Sequence, residues 1–245
     1  MMRMEEIKYD SRYFEAMENR FWSGAHGQRV RDIAGMMQDF GITDVNSRVL
    51  DYGGGSGAFS MFCAGEYWLW EPSEAGRTYA AKHYTKATIL REGERPAIQF
   101  DGILLLDVIE HVREDVQEDL LQRILGAQLA EHGILIVSTD NHGSRFLHGF
   151  GKFCQRVDRL LSAEGRTYRW LKRIESRNPH HVRYQDTHIG LRTYSSLTAL
   201  FANAGYQVLA ERHGFFYRSP LSGIVAWLTG WRPLHSVYAL SVCKD

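Results

Sequence analysis

The chain has 245 residues, 44% of them hydrophobic and 24% charged, which suffices for one good-sized core with a small cap, so a single domain is expected. Its 29 lysines and arginines equal its 29 aspartates and glutamates, so no net field draws it to nucleic acid or an anionic bilayer, and any partner is recognised locally. Cys63, Cys154 and Cys243 are too scattered for a disulfide framework or a zinc knuckle. The charged N-terminus lacks a signal-peptide stretch and no apolar run reaches membrane-spanning length, so a reducing, cytoplasmic setting is the expectation.

In chain order, residues 11–40 read as one or two aromatic-rich helices within an N-terminal helical cap over 1–45, and Gly41-Ile42-Thr43-Asp44 turns the chain into a first strand. Short apolar runs at 48–52, 67–70, 87–90, 102–106 and 133–138 suit buried strands, with helical spacing between them at 57–64, 73–83 and 114–130. The last helix is the clearest. Val116, Leu120, Leu121, Ile124, Leu125 and Leu129 form its stripe, Glu114, Asp115, Glu118 and Asp119 suit its N-terminal dipole, and His132-Gly133 is expected to close it. Strands alternating with helices predict a doubly wound, mostly parallel α/β sheet. Residues 141–192 break the alternation. Inserted after a parallel strand, they read as a substrate cap over the ligand crevice. A helix at 193–204, ended by Gly205, precedes closing strands at 206–212 and 236–242. The aromatic loop between those strands, 213–235, holds few basic residues to favour a bilayer; it reads as packing on the cap or on a second subunit, which would make a homodimer.

The chemistry concentrates where the first strand ends. Arg48-Val49-Leu50-Asp51-Tyr52-Gly53-Gly54-Gly55-Ser56-Gly57 is a strand running into a glycine-rich turn, which lets backbone approach a ligand closely while a following helix offers free amides. Dinucleotide enzymes space their glycines G-x-G-x-x-G, whereas here Asp51, Gly53, Gly55 and Gly57 alternate with other residues. That spacing resembles the D-x-G-x-G-x-G signature of class I S-adenosylmethionine-dependent methyltransferases. Two further segments strengthen the resemblance: Asp107-Val108-Ile109-Glu110-His111 is similar to the D-V-L-E-H segment of small-molecule methyltransferases of the ubiquinone-biosynthesis type, and residues 129–139 are similar to that group's fifth strand, with Glu131-His132 where proline-glycine is usual. The resemblance covers about 48–141 and, through Tyr194-Ser195-Ser196-Leu197 and Ala204-Gly205-Tyr206, 193–214. It implies a seven-stranded sheet with a reversed last strand, S-adenosylmethionine as cofactor and S-adenosylhomocysteine as product.

On that basis Asp51 is expected near the cationic amino end of the cofactor. Tyr52, Gly53, Gly54, Gly55 and Gly57 are expected along its methionine portion, Glu71 on its ribose hydroxyls by the logic used for NAD, and Pro72 on its adenine. Asp107 and Val108 would line the same site, and Arg29 would reach the cofactor carboxylate. Methyl transfer from a sulfonium chiefly needs alignment in a dry site and at most one base. For a hydroxyl on a small-molecule acceptor that base is expected to be His111, with His188 the histidine of the cap best suited to face substrate. Nitrogen or carbon acceptors would need no such base. Asp107 with Asp140-Asn141 also resembles the magnesium set of catechol-type methyltransferases, a rival reading to a metal-free site. Another rival is a cofactor-binding subunit without catalysis. The glycine spacing argues against a nicotinamide oxidoreductase, and the absence of a basic stripe and of an N-P-P-Y motif argues against methylation of nucleic acid.

Overall fold

The computed structural model describes residues 11–21, 24–91, 93–94, 96–140, 189–214 and 235–243. Two helices, α1 (Ser11–Phe21) and α2 (Gly24–Asp39), lead into β1 (Arg48–Tyr52), β2 (Glu66–Trp70), α3 (Glu74–His83), β3 (Ala87–Ile89), β4 (Phe100–Leu106), α4 (Glu114–Asp119), β5 (Leu129–Asp140), α5 (Tyr194–Asn203), β6 (Tyr206–Gly214) and β7 (His235–Val242). The seven strands form one sheet in the order β3-β2-β1-β4-β5-β7-β6. β1 to β5 pair in parallel, and β7 is antiparallel to both neighbours, as the resemblance implied.

Period-two alternation sends successive side chains to opposite faces of the sheet, and helices cover both. Leu50, Ile103, Leu105, Leu135, Val137, Tyr238 and Leu240 pack with Leu121, Leu125, Leu197 and Phe201. Val49, Leu104, Ile136, Val237 and Ala239 pack with Val30, Ile33, Met36 and Met37. The chain leaves β1 toward β2 and β3, then returns to β4 on the other side of β1. The carboxyl ends of β1 and β4 therefore flank a topological switch point, where open α/β sheets bind ligands.

Two expectations about helices are corrected. The helix foreseen at 57–64 is a 3-10 turn of five residues, Ala58–Phe62. Its length is limited because the chain must already turn into β2: the Ala64 amide donates to Thr43 O at 2.8 Å, and a Cβ on Gly65 would lie 2.1 Å from Ser47 O. The helix foreseen at 114–130 stops at Leu125, its last six residues, Leu120–Leu125, widening into a π-turn. The Leu121 carbonyl accepts the Gly126 amide at 3.1 Å and the buried Tyr206 hydroxyl at 3.0 Å. Leu129 keeps the helical phase of the stripe, yet it pairs with Phe100 as the start of β5. His132-Gly133 consequently closes no helix. It lies inside β5, where the register with β4 shifts between Phe100 and Gly102, and such a bulge absorbs the extra residues.

Candidate active site

The end of β1 and the turn after it are built around a buried carboxylate. Gly53, Gly55 and Gly57 have φ of 78°, 57° and 76°, the left-handed region that a side chain penalises. Gly54 is held to glycine by contact instead, since a Cβ there would lie 2.1 Å from Asp51 Oδ2. Asp51 itself is wholly buried and its Oδ2 accepts the Tyr67 hydroxyl. Its Oδ1 is buried with no hydrogen-bond partner among the described residues. Burial pushes the Asp51 carboxyl up to about 7, with the Tyr67 hydroxyl opposing and the charge of Glu71 adding to the rise.

One strand over, Glu71 is nearly buried. Its Oε2 accepts the Gly55 amide at 2.9 Å and its Oε1 the Ser73 amide at 2.8 Å. Burial raises this carboxyl too, against the pull of those two amides and of Arg77. Arg77 Nη1 donates to the carbonyls of Glu71 and Pro72, both at 2.8 Å, and so fixes the exposed Pro72. Tyr52 and Trp70 stack at the strand ends with centroids 4.3 Å apart. The loop after β4 meets this assembly through Val108, whose Cγ2 lies 2.7 Å from where a Cβ of Gly53 would stand.

Beside it lies a second polar group at the ends of β4 and β5. Asp107 takes a positive φ of 56°. Its amide donates to Ser138 O at 2.8 Å, its Oδ1 accepts Ser138 Oγ at 2.8 Å, and its Oδ2 is paired with Arg29 Nη1. The other arm of Arg29 reaches Asp140 Oδ1 at 3.3 Å. Arg29 thus sits between two aspartates. Glu110, 1% exposed, accepts Thr139 Oγ1 at 3.1 Å. Burial first, and then the charge of Asp107, hold the Glu110 carboxyl well above the usual range, with Asp140 adding and Arg29 offsetting. His111, half-buried, ends the short turn Ile109–His111, its amide donating to Val108 O at 2.9 Å.

The structure therefore brings Asp51, Tyr52, Gly53, Gly54, Gly55, Glu71 and Val108 to one side of the switch point and Asp107 with Arg29 beside them. His188, Asn141 and the substrate cap up to residue 188 lie outside the described residues, as does most of the aromatic loop. Two functional-looking residues escaped the sequence reading. Tyr67 pairs in register with Val49, so strict alternation along β2 would have set it on the face of Leu69 beside Asp51. Gln117 lies inside α4 and is wholly buried; a lone glutamine among exposed acids carries no signal of that kind.

The methyltransferase-domain family matches residues 25–211. No curated protein matches the chain. Among solved structures, the magnesium protoporphyrin IX methyltransferase of Synechocystis PCC 6803 with bound SAH is similar with a TM-score of 0.59 at 14% identity, over 96% of each chain. A putative methyltransferase in complex with a methyltransferase activator of Haloferax volcanii gives 0.57 at 12% identity over 100% of each chain. An O-methyltransferase from neocarzinostatin biosynthesis, in complex with S-adenosylmethionine and 2-hydroxy-5-methyl naphthoic acid, gives 0.55 at 14% identity, over 97% of this chain and 60% of that one. At these identities the likeness is one of fold. The family match over most of the length, joined to the glycine turn at the switch point of a seven-stranded sheet, shows that the chain belongs to the methyltransferase-domain family.

Proposed function

We propose that this enzyme transfers the methyl group of S-adenosylmethionine to a hydroxyl oxygen of a small molecule. The observation that carries the reading is the buried, unpartnered Oδ1 of Asp51 beneath a turn too tight for a Cβ at Gly54. A ligand bearing a cationic amino end and able to lie against bare backbone suits that feature, and S-adenosylmethionine has such an end. The residues fit it. Asp51 would hold the amino end, the turn 52–57 its methionine portion, Glu71 its ribose hydroxyls, Pro72 and Val108 its adenine. When bound, the cofactor supplies an electrophilic methyl group.

The protein's own part is alignment and proton handling. Asp107 shapes the wall between cofactor and acceptor, held by Ser138 and Arg29. His111, in the loop after β4, takes the acceptor's hydroxyl proton, with His188 the second candidate for that role. The O-methyltransferases among similar structures support oxygen as the target. The magnesium alternative finds less support: the Arg29 guanidinium already supplies Asp107 and Asp140 with a cation. Among the described residues, no helix is long and apolar enough to cross a membrane.

Calorimetric titration with S-adenosylhomocysteine and, separately, NADH tests the cofactor; binding of NADH alone would overturn the reading. Labelled S-adenosylmethionine incubated with cell extract, with and without a chelator, then identifies what gains the label. Transfer to no acceptor would leave a cofactor-binding subunit in its place, and loss of transfer on chelation would restore magnesium.

A further inference from the structure

We propose that Tyr67 is a positioning residue for cofactor binding: its hydroxyl secures one oxygen of Asp51 and leaves the other to receive the cofactor's cationic amino end. This rests on the reading of S-adenosylmethionine as the cofactor.

The geometry is a stacked constraint. Tyr67 is 1% exposed and Asp51 not at all. β2 pairs with β1 in register, Val49 with Tyr67 and Asp51 with Leu69, so the Tyr67 ring runs along β1 toward the strand end and its hydroxyl meets Asp51 Oδ2. That same oxygen would lie 2.1 Å from a Cβ at Gly54, so the carboxylate is wedged between the phenol and the turn. Oδ1 has no partner among the described residues. A carboxylate oxygen without a hydrogen bond is costly in a dry interior, and a cation placed against it relieves the cost. Tyr67 makes the site directional: among the described residues its hydroxyl is the hydrogen-bond donor to this carboxylate, and it engages Oδ2 and not Oδ1.

The surroundings explain why the pair also responds to protons. Glu71 faces Asp51 from the end of β2; Cys63 from the segment after the 3-10 turn and Tyr84 from the end of α3 face Tyr67; and Lys86, in the turn before β3, faces Cys63. Lys86 is directed elsewhere, donating to Cys63 O, and Tyr84 donates to Glu18. Burial lifts the Asp51 carboxyl to about 7 while the Tyr67 hydroxyl lowers it. Near neutral pH a proton and the ligand's ammonium therefore compete for Asp51.

The test is calorimetry with S-adenosylhomocysteine from pH 6 to 8.5. The wild-type protein should bind more weakly as pH falls below about 7. At pH 6 it should release close to one proton per ligand, read by comparing buffers of different ionisation enthalpy. Tyr67→Phe should bind about fivefold more weakly at pH 7, with the pH midpoint displaced upward by about one unit and affinity largely regained at pH 8.5. Wild-type affinity and pH profile in the variant, or an equal loss at every pH, would overturn the proposal. Should the variant fail to fold, 3-fluorotyrosine placed at position 67 keeps the ring and strengthens the donor, so the pH midpoint of binding should fall below that of the wild type; a midpoint that does not fall overturns the proposal equally. Failure of the wild-type protein to bind S-adenosylhomocysteine at any pH would instead bring down the cofactor reading itself.

Discussion

Gln117 should be among the most costly polar residues to replace. Its side-chain amide donates to Ile109 O at 2.8 Å, Val112 O at 3.0 Å and Gly190 O at 2.8 Å, and its Oε1 accepts Arg192 Nε. One buried side chain thereby joins α4, the β4 loop that carries Asp107 and His111, and the segment that leads into α5. Gln117→Leu keeps the volume, strands the buried Gly190 carbonyl and takes from Ile109 O one of its two donors, leaving it the Val112 amide. At ~1–3 kcal/mol for the buried group left unsatisfied and ~0.5–1.5 kcal/mol for the lost bond, the expected loss is about 3 kcal/mol. For a chain of this size that lowers the unfolding temperature by roughly 6–12 °C. Gln117→Glu should lose as much at pH 8, where the carboxylate faces carbonyl oxygens, and less at pH 5, where more of the acid is protonated and donates. Gln122→Leu, which removes exposed bonds to Glu118 and Asn203 O, serves as the control at under about 0.5 kcal/mol. Thermal unfolding followed by circular dichroism checks all three. A Gln117→Leu midpoint within about 2 °C of the wild type would refute the assignment of these bonds as structural.

Gly190→Ala should damage the same junction, because its Cβ would lie 1.8 Å from Val112 O and 2.4 Å from Gln117 Nε2; combined with Gln117→Leu, the losses in a denaturant series should fall short of additive. Asp51→Asn should stabilise the ligand-free protein as pH rises. The folded carboxyl, at about 7 against a usual 3.8, binds more protons than the unfolded one between those values, so wild-type stability falls across that window and the variant's does not. About three pK units at ~1.36 kcal/mol each set an upper bound near 4 kcal/mol at pH 8. A wild-type-to-variant difference that is the same at pH 4 and pH 8 in urea unfolding would contradict it. Arg29→Met removes the guanidinium between Asp107 and Asp140 beside the buried Glu110. The destabilisation should reach about 2 kcal/mol at pH 8 and shrink as the carboxylates are protonated in acid, again read by unfolding against pH.

Much of the architecture was legible from the chain because it depends on local pattern. The run 48–52 is a short apolar stretch, buried on both faces, that ends in a glycine turn, so β1 was placed to the residue. Thr193 and Gly205 bracket α5 as a cap and a left-handed stop should, with Thr193 accepting the Ser196 amide and Gly205 at φ 82°. The same local reasoning misjudged 114–130, since Leu129 has both helical phase and strand propensity and only pairing with Phe100 decides between them. Tertiary structure alone determined how the charged residues are used. Nothing in the spacing of Arg29, Asp107 and Asp140, 78 and 111 residues apart, says that one guanidinium serves both carboxylates, because ion pairs across a sheet follow strand order rather than sequence distance. Nor does Asp51-x-Gly-x-Gly-x-Gly reveal that Tyr67 holds one oxygen of Asp51 and leaves the other unpartnered. The motif determines the backbone of the turn by steric exclusion; the burial and hydrogen bonding that set the chemistry of its acid come from the neighbouring strand.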